Sequence, residues 1–166
     1  MAFWMPRQSS FMAEFKERLH SSFMHGRSNH LDKSTNLGIY ATYKDFFVRE
    51  NYVDCISVEC YRTALAQFRM GVSQIYKHRF RFSPSDENWR CPVCKSVNET
   101  ETHFMFVCPA YTDIREKYLP PIRITDLDHL LVIILKSTSS DTIMNVAKFI
   151  CLAFERRSNM TVTPKT

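Results

Sequence analysis

Three of the six cysteines and one of the six histidines fall within 18 positions, in the stretch CPVCKSVNETETHFMFVC at residues 91 to 108. The order Cys91-x2-Cys94-x8-His103-x4-Cys108 offers four soft or borderline donors, the number that fills a tetrahedral zinc ion and leaves no coordination position for substrate. Two cysteines separated by two residues suit a tight loop that turns both sulfurs toward one ion, and Pro92 stiffens it. His103 and Cys108 are five apart. On an uninterrupted α-helix they would point about 140° away from one another, so the backbone between them is expected not to be continuously α-helical. A Cys108 thiolate followed by Pro109 would sit at a helix N-terminus, where free amides favour the anion.

Other chemistry finds little support in the residue types. No Glu lies one residue from His103, where a zinc deaminase needs its general acid and base. Asp86-Glu87 and Asp126-x-Asp128 sit in turn and helix-start contexts rather than as a two-metal carboxylate pair. The chain therefore reads as no enzyme, with no small-molecule substrate. His20, His25 and His30 recur every five positions, a spacing that suits ligation on neither helix nor strand. Cys55 and Cys60 read as small, separately placed residues. Phe104 and Phe106 read as a little core beneath the metal, with base stacking by one of them as the competing role.

The elements that must position this cluster are mainly helical. Phe11, Phe15, Leu19 and Phe23 recur every four positions, predicting a helix to about Met24, and Gly26 to Gly38 supplies turn chemistry. Further helices are expected over 39 to 50, through Tyr61 to Tyr76, over 110 to 119, from a Thr125/Asp128 capping box to about Lys136, and from Ile143 to Arg157. Arg79-Phe80-Arg81-Phe82 alternates with period two and predicts a short strand. The expected organisation is an N-terminal helix and flexible loop at 1–38, a helical domain at 39–157 with its zinc segment at 89–119, and a disordered tail at 158–166. The fold class is mainly α, a small helical domain around one structural zinc site of three cysteines and one histidine, with a short β-hairpin or irregular segment.

Charge adds a second expectation. The net charge is +5, and residues 61 to 82 carry Arg62, Arg69, Lys77, Arg79 and Arg81 without one acid, while residues 1 to 60 balance at seven bases and seven acids. A local basic stripe is the footprint of a phosphate-binding face. The longest apolar run, residues 130 to 135, is far short of the roughly 20 residues a bilayer needs, and the N-terminus does not read as a secretory signal. An intracellular protein, nuclear or cytoplasmic, with reduced thiols is expected.

The segments YRTALAQFRMGVSQIYKHRFRF, ENWRCPVC, ETHFMFVCPAYTDIREKYLP and NVAKFICLAFERR resemble the region C-terminal to the polymerase core in reverse transcriptases of non-LTR retrotransposons, including its zinc-binding segment. The resemblance runs from about Phe11 to Arg157, and its specific part is Cys91, Cys94, His103 and Cys108 in the His-Phe-x-Phe-x-Cys-Pro context. It implies Zn2+ on those four residues and contact of the basic surface with template RNA or target DNA. The polymerase carboxylate motif is missing, and the spacing of eight before His103 departs from the four of a retroviral nucleocapsid knuckle. The expected function is a non-catalytic, zinc-stabilised module that binds RNA or DNA non-specifically; the alternative is a structural or protein-interaction module without nucleic-acid binding of its own, whose helices pack on a reverse transcriptase core.

Overall fold

The computed structural model of the chain describes residues 8 to 31, 40, 49 to 79, 89 to 123 and 125 to 161. The chain divides into two compact units, Met1–Val48 and Arg49–Thr166, later than the boundary expected after residue 38. The first contributes one long helix, α1 (Gln8–Leu31). It runs through Gly26, where the sequence predicts a break. A Cβ there would meet nothing within 4 Å, so no close approach demands the glycine, and one glycine costs a helix only about 1 kcal/mol. Phe15 and Leu19 of the predicted apolar stripe are half exposed. The expected helix over 39 to 50 lies mostly outside the described residues.

The second unit holds α2 (Asn51–Cys55), α3 (Glu59–Arg69), α4 (Tyr76–Arg79), α5 (Thr112–Tyr118), α6 (Leu127–Leu135) and α7 (Ser140–Thr161). Its spine is α7, against which α2, α3, α5 and α6 all pack. The stripe read from the sequence is buried in full: Ile143, Val146, Ala147, Ile150 and Phe154. Phe149 and Ala153 are buried as well, because a helix with partners on several sides needs a wider apolar surface than a surface helix. The helix continues to Thr161 instead of ending at Arg157, so the segment expected as a tail begins as helix.

Helix α3 buries Ala64, Leu65 and Phe68 and stops earlier than its periodicity suggests. Gly71 takes the left-handed conformation, at φ 67°. Its N–H donates to Phe68 O (3.2 Å) and the N–H of Val72 to Gln67 O (3.0 Å), the paired bonds that close a helix C-terminus. Val72, placed on the core face by helical spacing, is accordingly half exposed, while Ile75 beyond the turn is fully buried. Helix α6 is capped by Asp126, whose carboxylate accepts from the N–H of His129 at 3.0 Å, and not by the Thr125/Asp128 box. Asp128 instead accepts from the hydroxyl of Thr102.

Among the described residues no strand forms. The hairpin expected around the cluster is a loop closed by one antiparallel bridge, Arg90 to Asn98. Lys77, His78 and Arg79 belong to α4 rather than to a strand, and residues 80 to 82 lie outside the described residues.

Candidate metal centre

The loop is shaped by its own backbone first. Cys91 N–H donates to Val97 O at 2.8 Å, and Lys95 N–H donates back to Cys91 O at 2.9 Å. Lys95 itself sits at φ 58°, a left-handed position that costs an ordinary residue roughly 1–2 kcal/mol but turns the chain tightly enough to present Cys91 and Cys94 to one point. The return limb enters a π-helical turn, His103–Val107. Cys108 N–H closes onto His103 O at 2.8 Å, the five-residue hydrogen bond that an α-helix does not make. This wider turn resolves the 140° problem: the extra residue brings Cys108 round toward the face His103 occupies. Arg115 of α5 locks the turn from outside, donating to Met105 O (2.8 Å) and Cys108 O (2.7 Å).

A ligand atom from each of Cys91, Cys94, His103 and Cys108 lies within 4.8 Å of the other three, so the four could hold a metal ion. The sulfurs of Cys91 and Cys108 are 3.9 Å apart, and Cys94 Sγ is 3.4 Å from His103 Nε2. Tetrahedral thiolate coordination with metal–sulfur bonds of about 2.3 Å has ligand edges of roughly 3.8 Å, so these separations fit. Cys91 and Cys108 are fully buried, His103 nearly so, and Cys94 half-buried with Ser96 Oγ at 3.1 Å.

The electrostatics are those of crowded sulfurs. A hydrogen bond from Cys108 outweighs burial and pushes the Cys91 thiol down to about 3. The same bond, with burial, pushes Cys108 up. Burial opposes ionisation of Cys94 too, but bonds from the side chain and backbone of Ser96 prevail and lower it. His103 is raised, first by its hydrogen bond with Cys91. A divalent cation among these groups would let all three sulfurs ionise together.

Around this cluster lie buried charges that sequence reasoning did not single out. Glu99, fully buried, pairs with Arg157 of α7 and accepts from the backbone N–H of Tyr76 at 2.8 Å. Its Oε1 also lies 3.8 Å from Cys91 Sγ. Glu101 takes the Nε2–H of His78 and the ammonium of Lys77, each at 2.8 Å. Burial alone would raise Glu101, and these two partners reverse that and hold it below the usual carboxylate range. His78 Nδ1 faces both the N–H (3.3 Å) and the hydroxyl (2.8 Å) of Ser73. The resulting Ser73–His78–Glu101 order is that of a hydrolase relay. Ser73 is 5% and His78 7% exposed, and the imidazole packs edge-on against Phe68. It braces α4 against the metal loop.

Phe104 anchors the loop from within. Its ring lies 4.9 to 5.8 Å, centroid to centroid, from those of Phe68, Tyr111, Phe149 and Phe154. Phe104 and Phe106 are both buried, which suits the small core expected beneath the metal and removes them as surfaces for base stacking.

The five predicted phosphate contacts do not form one solvent-facing stripe. Arg69 is 7% exposed, paired with Glu50 at 2.9 Å and stacked over Tyr52. Arg62 donates to Ile56 O at 3.0 Å, and Lys77 is the partner of Glu101 already described. Arg79 has an exposed side chain, and Arg81 lies outside the described residues. Among the described residues the cluster that could hold a metal does not include Cys55, Cys60, His20 or His25, and no single helix is long and apolar enough to cross a membrane. The chain matches no protein-family model, no curated protein and no solved structure.

Proposed function

We propose that the chain is a non-catalytic, zinc-stabilised structural module in which Cys91, Cys94, His103 and Cys108 hold one Zn2+. The observation that carries this reading is the convergence of three sulfurs and one imidazole within 4.8 Å. Such donors suit zinc and contain none of the oxygen ligands that calcium or magnesium require. Zinc bound there supplies folding energy and neutralises the sulfur cluster. Four protein ligands leave no position for an activated water, which is why the reading is non-catalytic. The resemblance to the region beyond the polymerase core of non-LTR reverse transcriptases supports the same four ligands, and the position of that region beside the core supports a reverse transcriptase core as the surface on which the helices pack; reduced thiols suit an intracellular setting. A structural role is preferred over nucleic-acid binding because Arg62, Arg69 and Lys77 already serve internal partners.

The test is metal content by elemental analysis of protein purified without added chelator. One zinc per chain is expected, with Cys94→Ser losing affinity at least about tenfold; protein that carries no zinc, or a variant that keeps it, sinks the reading. Non-specific binding of RNA or DNA is the second reading, favoured by the exposed cations Arg90 and Lys95 on the loop. Those two would produce a salt slope of about two phosphate contacts, and no binding at low salt would remove it.

A further inference from the structure

The resemblance confines zinc ligation to a short segment, but the buried charges tie that segment to the far end of the chain. Arg157 lies on α7, 58 residues from Glu99, and their side chains are 3% and 0% exposed. A pair so buried is not a surface ornament. Removing one partner of such a pair leaves an uncompensated charge that costs several kcal/mol. Here the stranded charge would be a carboxylate 3.8 Å from Cys91 Sγ, beside a site that already holds three sulfurs. Tyr76 fixes the same assembly from a third element: its backbone N–H binds Glu99 Oε2 at 2.8 Å, and its ring lies under the Arg157 guanidinium at 5.1 Å. Glu99 is further held by its N–H to Trp89 O (2.6 Å) and its carbonyl from Lys77 N–H (3.3 Å). The backbone of Glu99 is thus held by Trp89 and Lys77, and its carboxylate by Tyr76 and Arg157.

We propose that Arg157 is a positioning residue of the metal centre: through Glu99 it offsets the negative charge beside Cys91, so that metal affinity depends on the C-terminal helix. This rests on the metal reading above. Outer partners of metal ligands typically change affinity by about 10- to 100-fold, and the size expected here is at the lower end because Glu99 touches only one ligand.

The experiment is chelator competition with Zn2+ and Co2+ on the full chain and on Arg157→Met, Arg157→Lys and Glu99→Gln/Arg157→Met. The thiolate-to-Co2+ absorption reports whether the ligand set is intact. Arg157→Met should bind about tenfold more weakly or worse, Arg157→Lys should recover part of the loss, and the double variant should bind better than Arg157→Met because the stranded carboxylate is gone. A purely structural contact predicts that the double variant recovers folding stability while every variant that folds binds metal as tightly as the parent chain. Affinity of Arg157→Met within about twofold of the parent chain, or a double variant no tighter than the single, overturns the proposal. If Arg157→Met fails to fold, Arg157→Lys takes its place: weaker metal binding by folded Arg157→Lys supports the proposal, and affinity within about twofold of the parent chain overturns it. A parent chain that takes up neither metal overturns the metal reading itself, and this inference with it.

Discussion

The packing of α3 against α7 and the loop at residues 90 to 108 are both buried at their centres, but by opposite means. Phe68, Phe149, Ile150 and Phe154 are apolar and buried, and each fully buried side chain of this size is worth about 1.5–3 kcal/mol. That attraction is non-directional and needs neither a proton nor a metal. At the centre of the loop, Cys91, Glu99, Glu101, His103 and Cys108 are all buried, and all of them need a partner in a particular place. The difference teaches that the two regions are conditional on different things: the helical contact on volume, the loop on charge. Phe104 is the residue that belongs to both.

Phe104→Ala should therefore break the distinction. It removes the ring shared by loop and helices and is expected to cost about 3–5 kcal/mol in denaturant unfolding, with both regions lost in one transition. If instead the metal affinity survived such a loss unchanged, the loop would be independent of the core. A chelator test of the proposed metal sharpens the contrast. Chelation should lower the unfolding midpoint and open Cys91 and Cys108 to a thiol reagent, while far-ultraviolet circular dichroism keeps most of its helical signal. Complete loss of helix on chelation would show that the α3–α7 contact cannot stand without the loop.

Smaller effects test the backbone of the loop and the surface of the helices. Lys95→Val places a branched side chain at a positive φ and should cost about 1–2 kcal/mol, whereas Lys95→Gly should be neutral or stabilising; equal effects of the two would deny the left-handed turn. At the surface, Arg156 holds the Asp113 carboxylate down to about 2. A depressed carboxylate contributes stability above its ordinary range and loses it as pH falls, here from about 4 toward 2. The exposed side chain of Asp113 makes this the smallest effect, read as a difference between the acid limbs of the parent chain and Asp113→Asn.

Much of the helical framework is legible because apolar periodicity is local. The buried face of α7 follows from Ile143, Val146, Ala147, Ile150 and Phe154 alone, and the need for a non-α turn follows from placing His103 and Cys108 five apart. The premature end of α3 is less legible: Gly71 carries the signal, but the stripe continuing through Ile75 masks it. The charged residues misled most. Arg62, Arg69 and Lys77 read as a phosphate-facing stripe because the segment contains no acid, yet their partners, Ile56 O, Glu50 and Glu101, lie elsewhere in the chain.

The sequence by itself determined that four thiol and imidazole donors would be available at metal spacing, and that helices would surround them, since ligand type and helical period are properties of neighbouring residues. Only the tertiary structure decided which charges are internal. Arg157 reads locally as a cation at a helix end, and becomes the buried partner of Glu99 because α7 packs where the loop returns. A side chain's period is written in its neighbours; its counter-charge is set by whichever distant segment the fold brings beside it.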